Sequence, residues 1–189
     1  TADIVKGWGA AAGSLDKDRN LIADFQSAGF AYAANKTDMD ALDTQKNHAV
    51  LGLFAHSNMN VALDKIDGRR KQGRGVGNDG KNLVVDDYGF PDQPLLEEMT
   101  SKALAVLSHK KEGFVLMVEG ASIDKQAHSM DTERWILDTI EFDRAIAVAR
   151  DFAAKNGDTI VIITADHECA GVASVSYTHL RAHETVLDL

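Results

Sequence analysis

The sequence predicts an α/β fold in which a parallel-rich sheet is sandwiched by helices. Apolar runs of strand length alternate with amphipathic stretches of helix length along most of the chain, the order that a parallel sheet with helical crossovers produces. One run, 159–164, is rich in Ile, Val and Thr at every position and reads as a strand buried on both faces. A single long amphipathic stretch separates it from the run 114–118, so 114–164 reads as a strand, a helix and a strand joined by a right-handed crossover.

The elements follow in chain order. Leu21, Ile22, Phe25 and Ala28 recur at helical spacing and Gly29 supplies a stop, which predicts a helix over 20–28 leading into a strand over 30–34. A short helix over 38–43 precedes a second strand over 49–54. Between 67 and 94 the pattern fails. Six glycines from Gly68 to Gly89, with Pro91 and Pro94, predict a long excursion that either covers a site or has no fixed structure. Leu95, Leu96, Met99, Ala103, Val106 and Leu107 then mark a helix over 94–108, and Gly113 introduces the strand 114–118. Trp135, Phe142, Ala145, Ile146, Ala149 and Phe152 stripe a helix over 132–155, closed by Asn156 and Gly157.

Composition excludes several classes of function. The net charge of −9 argues against nucleic acid as a partner, because that binding rests on clustered Lys and Arg neutralising phosphates. The one basic stretch, Arg69, Arg70, Lys71 and Arg74, reads as a solvated loop in the Gly-rich segment. No apolar run approaches the ~20 residues of a membrane helix, so no membrane partner is expected. Cys169 is the only cysteine, which rules out a disulfide within the chain and leaves the redox compartment undetermined. A chain of 189 residues is one domain or a piece of one. It opens on Thr1 without a charged and apolar leader, so a targeting signal is expected to have been removed or not included.

The chemistry collects at two strand ends, where open parallel sheets place their ligand-binding groups. The run 114–118 passes straight into Glu119, and Asp124 and His128 follow four residues apart, a spacing that aims both side chains the same way on a helical turn. The run 159–164 ends in Asp166 and His167. Imidazole nitrogen mixed with carboxylate oxygen suits zinc, and an isolated carboxylate among hydroxyls and waters suits magnesium. Singly, each residue also has an ordinary reading as a helix cap, a salt-bridge partner or a hydrogen-bonded pair. Together they point to metal-assisted hydrolysis, since two close metal ions can hold both the attacking and the leaving oxygen of a phosphoryl transfer.

The segments 118–128 (VEGASIDKQAH) and 164–168 (TADHE), with the spacing between them, resemble the metal-binding segments of bacterial alkaline phosphatases. Residues 51–55 with Asn58 and Met59, and residues 95–102, resemble weaker segments of the same family, so the likeness covers most of 20–172. The resemblance implies an alkaline-phosphatase-like fold, incomplete in this chain, and a phosphomonoester hydrolase with two zinc ions and one magnesium. It assigns Glu119 to magnesium, Asp124 and His128 to one zinc, Asp166 and His167 to the other, and Lys125 to phosphate binding through water. It also implies small phosphomonoester substrates, a homodimeric full-length parent, and a periplasmic or secreted location.

The family's serine nucleophile follows an Asp, and no Asp-Ser dipeptide occurs in the chain, so no catalytic nucleophile is assigned. The chain is therefore expected to be an internal fragment, inactive alone, with residues 1–175 forming part of one domain. Residues 176–189 resemble translated adapter sequence and read as a non-native tail, although His179 and His183 within them have ligand-like spacing. Two other functions stay open: a related phosphodiesterase, sulfatase or phosphomutase, and a non-catalytic metal-binding α/β fragment.

Overall fold

The computed structural model describes residues 19–55, 58–69 and 92–168. Its first helix, α1 (Leu21–Ser27), begins where the Asn20 side chain accepts the Ala23 N–H at 3.2 Å, and it ends at Gly29, whose φ of 91° suits a residue without a Cβ. Strand β1 (Ala31–Ala33) follows at once. Helix α2 (Lys36–Ala41) starts two residues before the expected Asp38 because Asn35 is the cap: its Oδ1 accepts the Asp38 N–H at 2.7 Å. Strand β2 (Val50–Gly52) lies parallel to β1 in the register Ala31 to Val50, Tyr32 to Leu51 and Ala33 to Gly52. Both strands are shorter than expected but fall inside the predicted runs.

Helix α3 (Ala62–Arg69) has no counterpart among the predicted elements, and it carries regular structure into the start of the Gly-rich stretch. The end of that stretch is also ordered. Gln93 is fully buried and its Oε1 accepts the Asn60 N–H at 2.8 Å, while the Asp92 carbonyl and carboxylate accept the Lys36 and Thr37 N–H groups that open α2. The expectation of an excursion is therefore corrected at both margins, and residues 70–91 lie outside the described residues. Helix α4 (Leu96–Leu107) packs against the long helix α6 (Thr132–Asn156), with the short α5 (Ser122–His128) between α4 and α6 in sequence. Asp131 caps α6, and Gly157 closes it with φ 76°.

The runs 114–118 and 159–164 carry no sheet ladder among the described residues, where β1 and β2 form the one sheet. Side chains of the first run still alternate. Phe114, Leu116 and Val118 are half-buried on the helix side, where Phe114 meets Phe152 edge-on at 6.0 Å, whereas Val115 is 96% exposed and Met117 85%. Period-two burial is the mark of a strand position. A ladder also needs a neighbouring backbone about 4.8 Å away, and the described residues do not supply one to either run.

The interior of α3, α4 and α6 is partly charged. Ala62, Leu63, Leu104 and Ala145 are buried there, and so are Lys65, Asp138 and Glu141. Among the described residues, no helix is long and apolar enough to cross a membrane.

Candidate functional site

The half-buried side of the 114–118 run leans on α6, and the chain turns at Gly120 against the same helix. A Cβ at Gly120 would lie 3.2 Å from the Phe142 ring and 3.2 Å from Ile123 Cδ1. The glycine thus lets the backbone approach α6 closely enough to launch α5, and α5 carries Asp124, Lys125 and His128.

On α5 the i, i+4 spacing acts as the sequence implies: Asp124 Oδ1 and His128 Nε2 lie 3.4 Å apart. The second pair comes from the end of the 159–164 run, where His167 Nε2 lies 3.4 Å from Asp166 Oδ2. The local backbone fixes this pair, since the His167 N–H donates to Asp166 Oδ1 at 3.0 Å. His167 Nδ1 lies 2.9 Å from the Glu168 carbonyl, which can only accept, so Nδ1 carries the proton and Nε2 is the nitrogen with the free lone pair in the neutral ring.

The His167 imidazole binds its proton more readily than an ordinary histidine. The Glu168 carbonyl is the main cause and the Asp166 carboxylate the next; Asp124 adds to the same effect from the other segment. Glu119 is exposed at the end of its run. Among the described residues, no three His, Cys, Asp or Glu side chains are gathered into a group able to hold a metal ion. The five expected ligands thus form two pairs plus a separate carboxylate, where the sequence suggests one convergent set.

Lys125 is exposed on α5, and its Nζ donates to Asn58 Oδ1 at 2.8 Å. Arg134 is a further residue of the site's surroundings that the sequence reading does not single out. Its Nη1 reaches Asp131 Oδ2 at 2.8 Å and its Nη2 reaches Asp64 Oδ1 at 2.9 Å, so it ties the turn after His128 to α3. The i, i+3 spacing of Asp131 and Arg134 is a readable signal, but nothing local pairs Arg134 with Asp64, 70 residues away. His179 and His183 lie outside the described residues.

Comparison with known proteins gives a consistent result. A family model described as alkaline phosphatase matches residues 7–185, a span that enters the 176–189 segment read as a tail. Alkaline phosphatase 4 of Bacillus subtilis is 37% identical over 155 residues, covering 82% of this chain and 28% of the relative. The Escherichia coli alkaline phosphatase is 31% identical over 173 residues, covering 88% of this chain and 36% of the relative. The crystal structure of the Thermus thermophilus alkaline phosphatase superposes with a TM-score of 0.56 at 25% identity, covering 73% of this chain and 24% of that one. The chain spans about a third of the length of these relatives.

Proposed function

The chain belongs to the alkaline phosphatase family, and from that premise we propose that it supplies the metal-binding and phosphate-binding part of a phosphomonoester hydrolase. Asp124 and His128 hold one zinc, Asp166 and His167 a second, and Glu119 a magnesium, while Lys125 binds phosphate. The serine nucleophile comes from a part of the complete protein outside these 189 residues. Small phosphomonoesters are the substrates, and the complete protein is a periplasmic or secreted homodimer, as the resemblance implies.

One observation supports the metal assignment above the others. Two donor atoms each about 2.0–2.1 Å from a tetrahedral zinc lie about 3.3 Å from one another. The carboxylate oxygen and imidazole nitrogen are 3.4 Å apart in both pairs. A charge-assisted hydrogen bond closes to about 2.7–2.9 Å, so both pairs are spaced as donors around a shared ion are. Zinc bound at these pairs supplies Lewis acidity toward phosphoryl oxygens. The chain's own residues orient the donors: α5 fixes Asp124 relative to His128, and the Glu168 carbonyl fixes the tautomer of His167.

Zinc titration of the 189-residue chain, followed by calorimetry in buffers of different ionisation enthalpy, tests this reading. The expected result is saturable binding with proton release that Asp124→Ala and His167→Ala each weaken, because metal displaces protons from such ligands. Binding without proton release, or binding indifferent to both substitutions, would overturn it.

A further inference from the structure

The Lys125–Asn58 hydrogen bond joins two segments 67 residues apart, and both are braced. Two residues beyond Asn58, the Asn60 N–H is held by the fully buried Gln93; two further on, the Ala62 N–H is held by Asp138 Oδ1 at 3.2 Å. On the other side, α5 runs into the turn that Arg134 locks to Asp64 of α3 through Asp131. The contact thus sits between one pinned loop segment and one pinned helix.

The partner's chemistry matters as much as its place. An ammonium offers three donors, and an amide oxygen takes one of them without contributing a negative charge. A carboxylate in the same position would also hold the lysine but would neutralise it. We infer that Asn58 is a positioning residue for Lys125, holding the ammonium beside the Asp124–His128 pair with its charge intact for an incoming phosphate dianion. The inference rests on the reading of Lys125 as the phosphate-binding group. Asn58 acts only through the lysine and is assigned no contact with phosphate itself.

Calorimetric titration of inorganic phosphate into the zinc-loaded 189-residue chain tests it. Asn58→Ala is expected to weaken phosphate binding roughly fivefold to tenfold, in line with the net contribution of one typical hydrogen bond, and to leave zinc affinity and melting temperature unchanged. Asn58→Asp is expected to weaken binding as well, because the lysine is held but neutralised. In a Lys125→Ala background, Asn58→Ala should have no further effect, a non-additivity that a general structural role would not produce. Should Lys125→Ala weaken phosphate binding while Asn58→Ala does not, Asn58 has no such role and the reading of Lys125 stands. Should Lys125→Ala have no effect, or the zinc-loaded chain bind no phosphate, the reading of Lys125 fails and this inference with it.

Discussion

Lys65 Nζ lies 2.6 Å from Glu141 Oε1, and both side chains are more than nine-tenths buried. Glu141 Oε1 also accepts the Leu96 N–H that opens α4 at 2.8 Å, so one carboxylate binds a lysine from α3 and caps a neighbouring helix. Removing one member of a buried pair leaves the other charge without compensation, which typically costs about 3–5 kcal/mol. Lys65→Ala is therefore expected to lower the unfolding free energy by about that much in urea denaturation. A Lys65→Met, Glu141→Leu double variant should lose less than either single change. A double variant as unstable as the sum of its parts would show that the cap at Leu96, and not the ion pair, dominates.

Asp138 sits one helical turn before Glu141 on α6, and burial pushes its carboxyl up to about 7, against a usual value of 3.8. The Ala62 N–H opposes that rise, Glu141 adds to it through its charge, and Lys65 opposes it. The folded state thus holds a proton that the unfolded chain releases at lower pH, so stability should fall as pH rises from about 4 through 7 and level off above. At ~1.4 kcal/mol per unit the loss is at most about 4 kcal/mol, and sharing of charge with Glu141 makes it smaller. Asp138→Asn keeps an acceptor for Ala62 and should flatten this slope in denaturation curves between pH 4 and 8. An unchanged slope would place the titration elsewhere.

The helices are legible in the sequence where apolar spacing and end signals agree, as for α1 and α6, and α4 is legible from its apolar spacing alone. So are Asp124, His128, Asp166 and His167 as candidates, because i, i+4 spacing and a strand end are local facts. The early start of α2 is hidden for a different reason: Asn35 is a good cap, but its role shows only when Oδ1 meets Asp38. Lys65, Asp138 and Glu141 are illegible because a charged residue in a helical stripe normally marks the solvated face, and their burial depends on partners 76 residues away. The ladders expected at 114–118 and 159–164 need neighbouring strands, and those cannot be read from the runs themselves.

Gly120 is a steric requirement that can be tested directly. Phe142 and Ile123 lie 3.2 Å from where a Cβ would stand, which is tight, and α6 fixes the ring. Gly120→Val is expected to destabilise the chain by ~1–3 kcal/mol and to weaken zinc binding by displacing α5, with Gly120→Ala milder in both. If zinc affinity is unaltered in a folded Gly120→Val chain, the close approach does not set the position of Asp124 and His128.

Arg134 provides the sharpest separation between support and ligation. Its guanidinium spans Asp131 and Asp64 at 2.8 and 2.9 Å, and Asp131 is both the cap of α6 and the third residue after His128. A lysine offers a single charged point and cannot reproduce a two-sided fork. Arg134→Lys should therefore lower stability by about 1.5–3 kcal/mol, the range of one lost hydrogen bond to a charged group. Because the turn it anchors directly follows His128, the same variant should weaken zinc binding at the Asp124–His128 pair more than at the Asp166–His167 pair. Cobalt substitution followed by visible spectroscopy can resolve the two sites. Equal weakening at both would mean that Arg134 supports the fold as a whole, and no change at either would mean that α5 holds His128 in place without help from α3.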